Sequence, residues 1–457
     1  ILNSDSWGDN ESFSLSKTTY FRLEDKLGND SVLFRNQYLK SPQKNNSWRV
    51  GITFAQPIGK KMHFRVAYNW DTNYERDNRD TYELSSLTKS EVFGELPPDY
   101  EAGYVDSLSN RSHSRTNDHN LDVGLNYSDD TWMFNASLGM TPQKRAIERK
   151  MGKLYADTTM HTIDFQPMIW VNWKKKEARI TFNYSGRTRQ PSLSDLMPLT
   201  DNSNPLYITR GNPDLKQMFS HSVRVSFQHS KKGISANIGG QMEQNSVTQV
   251  VLYDAKTGGR ETSPININGN WNVYGSANWW KRLGHFSLRL DMNGNHSNRV
   301  SMINEDKSLE PKKSTTRDTG LGCDANVSYQ PTWGGIDFST SWNYQYSLNS
   351  INDNDTYTRN YSFRLEGYVD LPFGLQLRTD GAYSFRNGED DQMLWNASAS
   401  WRFLKKKEAE LSAYWADILG KRKSFGRTTS SDGFYEFRNQ EIKGYFIVTF
   451  KYNFRLM

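Results

Sequence analysis

The sequence predicts an all-β fold: a transmembrane antiparallel β-barrel of about 18–22 strands, short turns at one rim and long loops at the other. Three observations predict it. The chain is polar yet rich in rings, with 35% hydrophobic residues beside 14 Trp, 24 Tyr and 23 Phe among 457 residues. Its apolar residues recur at every second position. Its connections alternate between short and long.

Composition excludes several classes. A mean hydropathy of −0.81 is too polar for several large soluble cores, while so many rings do not suit a disordered chain. A barrel wall reconciles the two, since only alternate residues face lipid. The longest apolar runs, such as Tyr445 to Phe450, fall short of the roughly 20 residues of a spanning helix. A net charge of +6, with no clustered basic face, gives no case for nucleic acid. The single Cys323 excludes an intrachain disulfide framework. The chain opens at Ile1 without Met or a targeting stretch, so further residues are expected upstream.

Alternation then places the strands in order. Met62, Phe64, Val66, Tyr68 and Trp70 share one face, opposed by His63, Arg65, Ala67 and Asn69. Ala178, Ile180, Phe182 and Tyr184 repeat the pattern, as do Phe286, Leu288, Leu290 and Met292. So do Ile336, Phe338, Trp342 and Tyr344, then Phe363, Leu365 and Val369, and finally Phe446, Val448, Phe450 and Tyr452. Cys323 shares a face with Leu321, Ala325 and Val327 and reads as a small lipid-facing residue.

A soluble sandwich would also alternate, so turn geography decides. Short connections recur at Pro57 to Lys61, Ser128 to Asp130, Lys174 to Glu177, Ser230 to Gly233, Lys281 to Gly284, Gln330 to Gly335, Asp370 to Gly374 and Leu404 to Lys407. Between them lie long polar loops at Asp71 to Thr116, Arg187 to Gln217 and Asn295 to Lys313. One rim is short and the other long, as in outer-membrane barrels. The whole of 1–457 is therefore expected to form one barrel. The strand count comes to about nineteen, an odd number that points to a missed strand such as Phe434 to Arg438 or to strands before Ile1. Lysines mark the short turns and read as solvated.

Arg187 to Gln217 has the most distinctive wording. Pro191, Pro198, Pro205 and Pro213 each remove a ladder donor, so the segment leaves the sheet and folds over the pore mouth. Arg189, Pro191, Ser192 and Leu196, followed by Gly211, Asn212, Pro213, Leu215 and Lys216, resemble a paired motif of the outer-membrane β-barrel family related to TonB-dependent receptors. Phe454 resembles the C-terminal insertion signal of such barrels, with Arg455, Leu456 and Met457 extending past it. That resemblance covers roughly the last two-thirds of the chain. It implies a bacterial outer-membrane location and energised import of a nutrient (siderophore, glycan or peptide), with TonB as a partner acting through a plug absent from this sequence. Membrane lipid and the outer-membrane assembly machinery are the other implied partners. The alternative is a non-transporting scaffold or export-complex barrel that holds a surface lipoprotein. For the motif itself, turning the chain at the rim is the plainer role.

Catalytic signatures are missing. There is no His-Glu-x-x-His helix, nucleophile elbow, Walker loop or dinucleotide fingerprint, and the eight histidines lack metal spacing. No enzymatic role and no cofactor is expected. Asp353 and Asp355 lie in an acidic loop that lacks the full calcium ligand series. The tyrosines Tyr74, Tyr82, Tyr100 and Tyr207, in expected long loops, are the candidates for touching a ligand, whereas tryptophans near strand ends suit a headgroup girdle.

Overall fold

The computed structural model describes residues 2–24, 30–85, 87, 95–198, 200–204, 206–254, 258–304, 310–351, 355–387, 391–404, 408–422, 424–430, 433–439 and 441–453. Ladders build nearly all of it. The first six strands are long: β1 (Leu2–Glu24), β2 (Asp30–Ile58), β3 (Met62–Glu83), β4 (Asn110–Ser128), β5 (Trp132–Met151) and β6 (Leu154–Lys175). After β7 (Ala178–Arg189) come the one-turn helix α1 (Leu193–Leu196), β8 (Thr200–Asn204), β9 (Tyr207–Arg210) and β10 (Met218–His229). A long broken hairpin follows, with β11 (Ile234–Gln244) continued by β12 (Ser246–Tyr253), and β13 (Arg260–Ile267) continued by β14 (Trp271–Leu283). The remaining strands are β15 (Phe286–Ile303), β16 (Lys312–Tyr329), β17 (Gly334–Asn349), β18 (Asp355–Leu371), β19 (Leu375–Arg386), β20 (Gln392–Phe403), β21 (Ala409–Ala416), β22 (Ser424–Ser430), β23 (Gly433–Asn439) and β24 (Tyr445–Tyr452).

Twenty-two strands share one sheet, and β22 and β23 form a separate hairpin. Setting aside β8, β9, β12 and β13, which pair above the rim, leaves eighteen antiparallel strands in the wall. Among the described residues no ladder joins β1 to β24.

Register fixes the faces, because directly opposed residues point the same way. One row runs Tyr127, Phe134, Val171, Phe182, Val225 and Ile238 across β4 to β11. Ile238 is 65% exposed, an apolar side chain turned outward and suited to acyl chains. The opposite face carries Asn126, Asn135, Trp170, Asn183 and Arg224 in register and lines the lumen. Lumenal charges pair across strands: Arg65 with Asp122, Arg378 with Glu366 at 3.3 Å, and Arg402 with Glu410 at 2.9 Å. Such exposed pairs orient side chains more than they stabilise the wall.

The short rim is tightly wound. Gly59 and Gly284 adopt φ of 70° and 60°, a left-handed conformation that glycine takes without steric cost. At the β4–β5 turn, Asp129 accepts from Tyr127 Oη at 2.6 Å and from the backbone N–H groups of Trp132 at 2.7 Å and Thr131 at 2.9 Å. Those donors hold its carboxyl well below the usual carboxylate range.

Two expectations are revised. The stretches 71–116 and 295–313 are ladder at both ends and not loop throughout: β3 runs to Glu83, β4 starts at Asn110, β15 runs to Ile303 and β16 starts at Lys312. Polarity on both faces there marks strands that have left the lipid, and backbone hydrogen bonds continue regardless. A headgroup girdle is expected of the tryptophans near strand ends, but Trp170, near the end of β6, points to the lumenal face opposite Asn183. Phe454, Asp353 and Lys405 to Lys407 lie outside the described residues.

Candidate functional site at the lumenal mouth

At the upper end of the lumenal face, β7 stops at Arg189 and Pro191 turns the chain inward. Ser192 caps α1 by accepting the Asp195 N–H at 3.1 Å. Leu196 and Met197 are then buried with Leu215 against Ile147, and Ala156, Met160 and Val247 pack around them. Ile147, Ala156 and Met160 lie on the lumenal faces of β5 and β6 by register. The proline-rich segment is therefore a flap folded into the mouth.

Gly211 crosses this flap where nothing larger fits. A Cβ there would lie 1.7 Å from the Met197 carbonyl oxygen, far inside van der Waals contact. Beside it, the Asn212 N–H donates to the Asp195 carbonyl at 2.5 Å, its Nδ2 donates to the Pro264 carbonyl at 2.9 Å, and its Oδ1 accepts the Asp214 N–H at 3.0 Å. The two motif halves, Arg189 to Leu196 and Gly211 to Lys216, thus meet in one structure. Gln190 Nε2 donates to Gln217 Oε1 at 2.9 Å, closing the base of the flap. Gln190 also donates to Asp164, which accepts from Gln143 Nε2 at 2.9 Å, and Arg145 Nη1 donates to the Pro191 carbonyl at 3.3 Å.

The adjacent hairpin turns over above the wall. In the wall β14 lies beside β15, but higher up it is β12 that pairs with β15, and β13 pairs with β9 of the flap. The reversal occurs at Asn245 (φ 52°) and Gly269 (φ 118°). Asparagine tolerates the first conformation, whereas the second demands glycine. Asparagine side chains fasten it. Asn266 Oδ1 accepts the Lys216 N–H at 2.6 Å, and its Nδ2 donates to the carbonyls of Lys216 and Asn245, both at 2.9 Å. Asn268 Oδ1 accepts the Asn245 N–H at 2.7 Å, and Asn270 Oδ1 accepts the Val300 N–H at 2.8 Å. Sequence reasoning missed this clasp. Its signal was the run Asn266-Ile-Asn-Gly-Asn270, since asparagines that bond backbone groups favour irregular chain over ladder.

The remaining candidates separate. Tyr82 and Tyr100 meet at 5.0 Å between ring centroids, joined by Tyr38 and Tyr104. Tyr38, which sequence reading did not single out, is 2% exposed. Its phenol is pushed up to about 12 by burial and then by a hydrogen bond to Glu11. Tyr74 lies exposed lower on β3, and Tyr207 in β9 carries the Arg260 guanidinium 5.2 Å above its ring. Arg187 and Arg189 are exposed on the lumenal face of β7 and make no ion pair among the described residues. Among those residues no three or more metal-binding side chains cluster.

Residues 6–319 and 313–452 match one family, the outer membrane protein beta-barrel family. The chain belongs to this family. Its place is the bacterial outer membrane, the family being one of outer-membrane β-barrels. No curated protein matches the chain. Among solved structures, the chain is similar to the copper transporter OprC at 11% identity, covering 99% of this chain and 78% of that one, with a TM-score of 0.40. It is also similar to the siderophore receptor PirA from Pseudomonas aeruginosa, at 10% identity over 97% and 80% of the two chains, TM-score 0.38. The outer membrane transporter YddB from Escherichia coli follows at 8% identity over 98% and 73%, TM-score 0.34.

Proposed function

We propose that the chain is the barrel of a TonB-dependent type of receptor that imports a nutrient across the outer membrane. One observation carries the reading: the paired motif folds as a flap into a polar lumen, with Arg187 and Arg189 exposed on the lumenal face of β7 at its foot. A wall of this size encloses an aqueous bore, and a tethered flap at its mouth suits admission of selected solutes. Deleting the gene tests this. Growth on one limiting nutrient should fail, and removal of TonB should reproduce the defect. Unchanged growth on every defined nutrient, or a steady open conductance of the full-length protein in planar bilayers, contradicts the proposal.

A second reading, a scaffold for a surface lipoprotein, is favoured by the length of β1 to β6. β2 has 29 residues, where about 9–11 suffice to cross, so these strands extend well past the membrane. Co-purification of a stoichiometric lipoprotein with intact nutrient uptake in the deletion strain would support it over import.

A further inference from the structure

The lysine-marked turns occupy a definite place on the wall. At the short-turn rim, Lys175, Ala178, His229, Ile234 and Trp279 are directly opposed in one row across the feet of β6, β7, β10, β11 and β14. Parity of register puts this row on the same face as Phe182, Val225 and Ile238, which looks into lipid. Trp173 stands one pair higher, opposite Ile180. These residues line an open concavity of about 1090 Å³.

Its edge is basic. Lys175 and Lys176 come from one turn, Lys231 and Lys232 from the next, and Lys281 and Arg282 from the foot of β14; all are exposed and line the same concavity. Glu177 is the one acid among the lining residues, and its carboxylate accepts Ser230 Oγ at 3.1 Å. None of the six cations makes an ion pair among the described residues. The turns are fastened to each other: the Glu177 carbonyl accepts the Ser230 N–H at 3.0 Å, and the Gly233 carbonyl accepts the Trp280 N–H at 2.9 Å. Like charges are therefore held side by side, an arrangement that an anion relieves.

We propose that this concavity binds a phospholipid with an anionic headgroup, phosphatidylglycerol being the simplest, from the periplasmic leaflet. Short turns mark the periplasmic rim of such barrels. The lysines lie at headgroup depth for the phosphodiester, the indoles of Trp173 and Trp279 lie at the interface, and the apolar floor meets the acyl chains. Free phosphate has no use for an apolar floor, and a soluble acidic protein does not reach a floor that faces the bilayer.

Native mass spectrometry tests the site on the delipidated chain, returned to micelles holding equal phosphatidylglycerol and phosphatidylethanolamine. The chain is expected to retain phosphatidylglycerol preferentially. The variant Lys175→Gln/Lys176→Gln/Lys231→Gln/Lys232→Gln is expected to lower that preference about tenfold or more, given about fivefold per surface lysine. Lys60→Gln/Lys61→Gln, at another turn, should leave it unchanged. Heat-modifiable migration reports folding. Should the quadruple variant fail to insert, the wild type decides: dibrominated phosphatidylglycerol should quench tryptophan fluorescence more than the dibrominated ethanolamine lipid. No preference in the wild type, equal loss in the control variant, a preference that survives in the quadruple variant, or displacement of lipid by glycerol phosphate would each overturn the assignment.

Discussion

Replacing Gly211 by Ala tests whether the flap is built as described. The added Cβ would lie 1.7 Å from the Met197 carbonyl oxygen, 2.8 Å from its carbon and 3.1 Å from the Asp195 carbonyl oxygen. Ordinary contact is about 3.5 Å, so the two chains must part by about 1.5–2 Å. Parting stretches the Asn212 to Asp195 backbone bond of 2.5 Å, which contributes about 1 kcal/mol. It also uncovers part of Leu196, Met197 and Leu215, where full exposure of one such side chain costs about 1.5–3 kcal/mol. A sum near 3 kcal/mol corresponds to roughly a hundredfold larger open population. Limited trypsin digestion reads that population at Arg210 and Lys216, provided reclosing outruns cleavage. Cleavage should accelerate about a hundredfold while heat-modifiable migration of the barrel stays unchanged. Gly8→Ala, with nothing within 4 Å of the new Cβ, should behave as wild type. Cleavage of Gly211→Ala within about threefold of wild type would refute the crossing and the flap with it.

Three other predictions follow from the same geometry. Asn266→Ala removes three hydrogen bonds from the clasp and should raise amide exchange around Lys216 by about tenfold or more, at about 1 kcal/mol per bond; unchanged exchange would show that the clasp holds nothing. Tyr38 has a folded pKa of about 12, raised above its ordinary value of 10.0, so its neutral form is favoured on folding. That contribution is complete below about pH 10 and lost as pH rises through 12; ultraviolet titration should lose part of its latest phase in Tyr38→Phe, and a late phase that the substitution leaves unchanged would contradict the burial. Ile238→Lys, on the lipid face, should cost about 2–4 kcal/mol in vesicle unfolding, whereas Asn237→Lys on the lumenal face should cost under about 1 kcal/mol; equal costs would dissolve the distinction between faces.

The wall was legible because a lipid-facing strand must alternate. Phe64 and Val66, or Phe338 and Leu365, identify their strands and faces without any tertiary information. Strand ends were less legible. Above the lipid, Thr72, Tyr74, Arg76 and Asn78 alternate nothing, yet their ladder with β4 persists, because backbone pairing does not depend on which side chains flank it. At the mouth, Pro191 told where β7 stops, although the expectation that the whole proline-rich segment leaves the sheet fails at β8 and β9, which pair there. The prolines did not tell that Leu196 and Leu215, 19 residues apart in sequence, share a small core with Ile147. Such contacts arise from long-range packing with no local periodicity. The turned-over hairpin had a local cause in Asn245 and Gly269, but its new neighbours β9 and β15 follow only from the assembled sheet.

A nitroxide scan of residues 321–328 in a Cys323→Ser background, with the protein in lipid vesicles, measures the two faces of one strand directly. Oxygen should relax labels at 321, 323, 325 and 327, and a water-soluble nickel chelate should relax those at 322, 324, 326 and 328. Accessibility that varies with no period of two, or nickel contact on the Leu321 and Val327 face, would contradict a wall with lipid outside and water within.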